Sequence, residues 1–374
     1  HRNQSLVRGY KLQGRRFMTA ISERDGFAIF IDSFEGLDYK IKLKLLEKFD
    51  GFPKPEDIER FFAATKPEIG LSISQAMRNK KVVEERIGKS VQGLDGIIPF
   101  YSEDYPELLR QTPVFPLILY YKGNKELLKS EKKLAIVGSR KTLPQYLAKT
   151  EEIAAAIAES GVPIVTGIAD GGDTSAVMGS MKNGKTISVL AGGLNPVYPK
   201  SKQGLAASVA KYGLILSENP CGVAPRTYSY PVRNRIIAGL SDVSLIVSGE
   251  ADSGARYTAS YALDYGRDVA CLPYGLGVKS GELCKSLIKS GAAEVETSEE
   301  VAFMLGITLE KTAAVKLNDK EMSVYESIKS GIDNVDELAL KTGEKVWTLT
   351  PVIASLEIKK VIVRNTDGRL SVLK

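Results

Sequence analysis

Residues 133–141 read KLAIVGSRK. The apolar run Lys133 to Val137 is too short for a helix and closes on Gly138, Ser139 and Arg140, with Lys141 next. Residues 146–160 then carry an amphipathic helical pattern that stops at Gly161. This strand, turn and helix decides the fold because the unit recurs. Val162–Val165, Thr186–Leu190, Leu214–Ser217, Val243–Ser248 and Val269–Leu272 read as strands. Helices fit a segment capped by Asp173 and running to Met181, then 202–211, 232–240, 253–265 and 283–290. Strands of four to six apolar residues alternating with helices predict an α/β fold, a doubly wound and mostly parallel sheet.

In such a sheet ligands sit beyond the carboxyl ends of the strands. The unusual residues fall there: Gly138, Ser139, Arg140 and Lys141; Thr166 and Gly167; Ala191, Gly192 and Gly193; Ser217 and Glu218; Ser253 and Gly254. Glycine lets backbone N–H groups approach a phosphate, and hydroxyls add donors. Residues 230–241, YPVRNRIIAGLS, join a polar triplet, Arg233, Asn234 and Arg235, to an apolar anchor. Guanidinium binds phosphate in a bidentate way, and Pro231 suits the first turn of a helix whose N-terminus would face the same anion. Lys200 and Lys202 offer further phosphate contacts. Tyr198 and Tyr230 could stack bases, with rim packing as the competing role. Neither GxGxxG nor GxxxxGK[ST] is present, so no dinucleotide fingerprint and no P-loop is read.

The chain has 374 residues, 43% hydrophobic and 26% charged, with net charge +6, and is long enough for more than one core. The charge permits nucleic-acid binding without demanding it. The sole histidine is His1, which excludes a Ser-His-Asp triad, a histidine base and a His-ligated metal from the body of the protein. Cys221, Cys271 and Cys284 lie far apart without a CxxC pair, which fits a reduced, cytoplasmic setting and no metal site. No apolar run is long enough to span a bilayer.

Residues 1–18 read as a basic leader or an expression remnant. Residues 19–96 read as a small helical domain of SAM or HhH kind, with Ile41, Leu45, Leu46 and Phe49 at helical spacing. The sheet domain takes 97–300, and its Pro-rich extension to Gly123 is expected to pack rather than to do chemistry. A linker is expected over 301–317. Residues 318–374 suggest three helices and a hairpin in winged-helix order, with Thr350 capping the third helix and Thr366, Asp367 and Gly368 turning the hairpin.

Several separated strings resemble the DNA-processing protein A family (DprA, also called Smf): YPELL with LYYKG, AIVGSRK, SENPCG, YPVRNRIIAGLS, SGARYTA, GRDVACLP and LIKSGA. The likeness runs from about residue 97 onward. The second loop departs from the family's SGxAxGIDxxAH pattern, reading TGIADGGDTSAV with Gly172 for the isoleucine and Val177 for the histidine. The resemblance implies a Rossmann-like domain that binds single-stranded DNA and dimerises. It also implies a role in natural transformation, with RecA loading and single-strand-binding protein as a further partner. Neither catalysis nor a cofactor is implied. Carried over by motif, the pocket would include Gly138, Ser139, Arg140, the Lys200 neighbourhood, Arg233, Asn234 and Arg235.

The leading expectation is thus a mediator that holds the DNA backbone on arginines converging at one ledge. The rival is an enzyme or sensor for a small nucleotide in the same crevice, with Glu218, Glu250 or Asp173 as its acid. Scaffolding through the end domains is the third reading.

Overall fold

Nine short segments, several of them buried on both faces, pair into one sheet. In chain order they are β1 (Gly96–Pro99), β2 (Ile118–Gly123), β3 (Leu134–Val137), β4 (Ile164–Thr166), β5 (Thr186–Val189), β6 (Leu214–Ser217), β7 (Val243–Ile246), β8 (Asp268–Cys271) and β9 (Ala293–Glu294). The structure, a computed structural model, describes residues 21–34, 36–309, 317–359, 361–365 and 368–372. The expected leader, residues 310–316 of the expected linker and the hairpin residues Thr366 and Asp367 lie outside them.

The strand order is β1-β2-β6-β5-β4-β3-β7-β8-β9. From β3 to β9 all neighbours are parallel, which requires crossover helices on the faces and explains the continuous apolar runs. The chain leaves β3 in one direction through β4, β5 and β6. It then returns to lay β7 on the other side of β3, with Ile136 opposite Leu245. The reversal opens a crevice at the carboxyl ends of β3 and β7.

The Pro-rich extension contributes more than packing. Its β1 and β2 form the antiparallel edge, and β2 pairs with β6 through Tyr120 opposite Ser217. The N-terminal helices Glu23–Asp32, Tyr39–Lys48, Pro55–Phe62, Pro67–Arg78 and Lys80–Ser90 do not fold apart from the sheet. Phe27, Phe30, Ile58 and Ile87 belong to one apolar core with Tyr120, Leu190 and Ile215 of the sheet region. Tyr120 donates to Asp32 Oδ2 at 2.8 Å across that boundary. The described residues up to Leu309 therefore group as one compact unit, in which the helices before residue 96 share a core with the sheet region.

Two expected boundaries shift for physical reasons. Helix Ser298–Leu305 runs through the expected start of the linker, because Val301, Ala302 and Leu305 bury in the sheet's core and a Thr297–Glu300 capping box fixes the helix start. Asp173 is not a cap. Helix Gly172–Met181 is preceded by Gly171 at φ +82°, and Asp173 lies inside its first turn.

The second unit spans 310–374. Its helices are Asp319–Lys329, Val335–Thr342 and Val346–Ile358, followed by the hairpin β10 (Ile362–Arg364) and β11 (Leu370–Val372). Val324, Ile328, Leu338, Leu349, Ile353 and Leu356 form its core. Thr350 does not start the third helix. That helix begins at Val346 and holds Pro351 in its interior, since Leu349, Ile353 and Leu356 make a buried stripe that extends it backward. Among the described residues no helix is long and apolar enough to cross a membrane, and no cluster could hold a metal ion.

Candidate nucleic-acid interface

The crevice is a cavity of about 380 Å³. The loop after β3 forms one wall (Gly138 to Lys141) and the loop after β7 the other (Glu250 to Gly254). Tyr230, Pro231, Arg233 and Asn234 close it from the helix Ser229–Gly239. A smaller cavity of about 80 Å³ adjoins it, sharing Arg140, Ala169, Tyr230 and Arg233 and adding Tyr198 and Lys202. The starts of helices Gly172–Met181, Ser229–Gly239 and Ala255–Asp264 all border the crevice, so three positive dipole ends meet there.

Arg233 sits in the wall between the two cavities and is only 7% exposed. Its Nη1 donates to the Val189 carbonyl at the end of β5, and its Nε donates to Asn234 Oδ1 at 3.0 Å. Asp173 lies beside it, accepting from Gly138 N–H and Ala169 N–H at 3.4 Å each. Burial pushes the Asp173 carboxyl up, against the pull of the Arg233 guanidinium and the two N–H donors. Gly167 makes room for this pair: a Cβ there would collide with Asp173 Oδ2 and sit 2.7 Å from Arg233 Nη2. The glycine makes room for two of the protein's own charged side chains where the sequence suggests space for a phosphate.

The backbone of the first loop is largely engaged. Ser139 N–H donates to Ser248 Oγ at 2.8 Å, and Lys141 N–H to Ser139 Oγ at 3.1 Å. With Gly138 N–H turned to Asp173, the expected cradle of N–H groups is partly filled by side chains. Arg140 differs. Its side chain is exposed at the rim of both cavities, and among the described residues it makes no ion pair.

The other charges nearly balance. Lys141 pairs with Glu250 at 3.2 Å. Lys202 pairs with Asp170, and this hydrogen bond holds the Asp170 carboxyl below its ordinary range. Asp252 also lines the crevice. Sequence reasoning missed Asp170 and Asp252 and took Glu250 only as a possible acid. The string Gly249-Glu250-Ala251-Asp252, directly after a strand, was the available signal.

Several predicted site residues are placed elsewhere. Arg235 does not join the ledge. Its guanidinium donates to Glu218 and, at 2.8 Å, to the Val114 carbonyl, and it lines neither cavity. Residues two apart on a helix point about 200° from each other, so Arg233 and Arg235 cannot share a face. Glu218 orients that arginine and lies outside the crevice. Ser217 is buried, donating to the Gly192 carbonyl at 2.8 Å. Lys200 is exposed and outside both cavities. Asn234 lines the crevice but acts as a strut, with Nδ2 donating to the Gly254 carbonyl at 3.1 Å. Ser253 and Gly254 do line it, as do Gly138, Ser139, Arg140 and Lys141. Tyr198 and Tyr230 are half-buried beside Arg233 in the smaller cavity.

A family model described as DNA recombination-mediator protein A matches residues 96–306, more than half of the 374-residue chain. Protein Smf of Synechocystis is 39% identical over 207 residues, covering 54% of this chain and 52% of that protein. DNA processing protein DprA of Bacillus subtilis is 35% identical over 211 residues, covering 56% of this chain and 71% of its own. This chain thus spans about half the length of the Synechocystis relative. Among solved structures, DNA processing protein A of Streptococcus pneumoniae superposes with a TM-score of 0.65 at 30% identity, covering 76% of this chain and 98% of that one. The same protein from Helicobacter pylori gives 0.51 at 29% identity, covering 56% and 98%, and is described by its single-stranded DNA binding mode. With the matched segment holding β1 to β9 and both walls of the crevice, the chain belongs to the DNA recombination-mediator protein A family.

Proposed function

We propose that this protein binds single-stranded DNA through the crevice at the carboxyl ends of β3 and β7, as a mediator of DNA uptake and recombination. One observation carries the reading: Arg140, exposed and without an ion pair among the described residues, and buried Arg233 border the same two cavities, where three helix N-termini meet and two tyrosines offer ring faces. Arg140 would take a phosphate, with the dipole ends supporting it. Arg233, held by the Val189 carbonyl and Asn234, would present fixed positive charge. Tyr198 and Tyr230 would stack bases without regard to sequence. The related Helicobacter pylori protein, described by its single-stranded DNA binding mode, supports this assignment.

The protein acts in this reading by binding, without catalysis or cofactor. Glu218 pairs with Arg235, Glu250 with Lys141, and Asp173 accepts from Gly138 and Ala169 N–H, so each carboxylate that could have served the rival nucleotide enzyme has a structural task. A homodimer, RecA and single-strand-binding protein are the partners this role implies, in natural transformation. A cytoplasmic setting suits the free thiols of Cys221, Cys271 and Cys284.

Photocrosslinking tests the site. An oligothymidylate carrying 5-iodouracil should form adducts on Tyr230 or Tyr198, and unlabelled oligonucleotide should compete where mononucleotides do not. Adducts confined to residues 310–374, or competition by a mononucleotide alone, would overturn the proposal.

A further inference from the structure

We infer that a second groove, beside the crevice, carries the continuing backbone of the same nucleic acid strand, so that the binding path is two-part. This rests on the crevice being a single-stranded DNA site. The groove has a volume of about 860 Å³, more than twice the crevice's 380 Å³. The N-terminal helices form one wall and the loop Glu218–Tyr228 the other.

Its charge is arranged for an anion. The two carboxylates in the lining are already occupied: Asp32 accepts from Lys42 Nζ at 2.9 Å and from Tyr120 at 2.8 Å, and Glu218 pairs with Arg235. The two guanidinium groups are not. Among the described residues neither Arg86 nor Arg226 forms an ion pair. Arg86 lies over the Phe34 ring, 4.3 Å from its centroid, and reaches Ser33 only through long contacts of 3.4 and 3.5 Å. A guanidinium steadied on an aromatic ring, with its donor fork nearly unused, is preorganised for phosphate. Arg226 is exposed on the opposite wall.

The groove also connects with the crevice. One helical turn separates them, with Tyr230, Pro231 and Arg233 facing the crevice and Tyr228, Ser229 and Val232 facing the groove. Ala191 lines both the groove and the smaller cavity beside Arg140. Tyr228 stands on the dividing turn with 62% of its surface exposed, a ring face at the point where a strand would cross. Cations on two facing walls of an open channel suit a chain of phosphates better than one compact anion.

Fluorescence anisotropy on the full chain separates the two sites, using labelled oligothymidylates of about 6 and about 20 nucleotides, within and beyond one module's usual reach. For R86A/R226A the short oligonucleotide should bind as to wild type. With the long one, the slope of log affinity against log salt should shrink by about 1.4, about 0.7 for each single-strand phosphate that is no longer neutralised. R140A should weaken both lengths. If the alanine pair fails to fold by circular dichroism, R86Q/R226Q keeps the side-chain length and should give the same result. An unchanged long-oligonucleotide slope in the folded double variant, with short-oligonucleotide binding intact, overturns the second groove and leaves the crevice standing. So does a labelled polyglutamate peptide that binds wild type and fails to bind the variant while the DNA slope stays. If neither length binds wild type, the crevice assignment falls and the groove with it.

Discussion

The sequence reading gathers three arginines, Arg140, Arg233 and Arg235, on one ledge, and the structure gives them three different tasks. Arg140 is exposed and unpaired among the described residues, Arg233 is buried as fixed charge beside Asp173, and Arg235 is a strut. The strut has its own consequence. R235A leaves Glu218 partly buried without its cation, and breaking such a pair costs about 3 kcal/mol. Chemical denaturation should show that loss, whereas the salt slope of DNA binding by the folded variant should match wild type. A full-stability R235A with a reduced slope would return Arg235 to the ledge. The distinction was within reach of the sequence, because the phase of a helix already separates positions 233 and 235. The polar triplet Arg233, Asn234 and Arg235 simply looks continuous when read along the chain. That Gly167 makes room for the Asp173 and Arg233 side chains was not legible, since it depends on both coming near it across the fold.

At the scale of elements, the strands β3 to β8 were legible because each is a short apolar run closed by glycine or serine, or at a loop boundary. The joining of β1 and β2 to the sheet was not, because antiparallel pairing with β6 spans about a hundred residues and leaves no local period. Helix starts failed where burial outweighed caps, as at Val346. In the second unit, helix Asp319–Lys329 is clamped to helix Val346–Ile358 through Glu321. Lys359 Nζ donates to it at 2.6 and 2.7 Å, Ser355 at 2.6 Å, and Asn318 N–H at 2.8 Å. The Lys359 hydrogen bonds lead in holding this carboxyl at about 2, down from its ordinary 4.5. A depressed folded pKa stabilises above the unfolded value, and that contribution disappears as pH falls from about 4.5 towards about 2. Urea titrations followed by the single tryptophan, Trp347, should show the second unit weakening over that window. E321Q should be weaker at neutral pH and flatter below it. An acid response identical in E321Q would place the titration elsewhere.

At the scale of the molecule, the sheet domain and N-terminal helices act as one body, with both the crevice and the second groove inside residues 1–309. The net charge of +6 does not make the crevice strongly basic, since Lys141 and Lys202 are paired and Asp173 and Asp252 also line it. In the proposed role, binding would therefore depend on a few uncompensated guanidinium groups and on helix ends instead of a broad positive field. The measurement closest to this claim is the affinity of the full chain for a labelled oligothymidylate as a function of salt, in wild type and R140A. The account predicts a negative log–log slope that R140A reduces by about 0.7, the value for one single-strand phosphate, without change in stability. Binding indifferent to salt, or a slope that R140A leaves untouched, would contradict it.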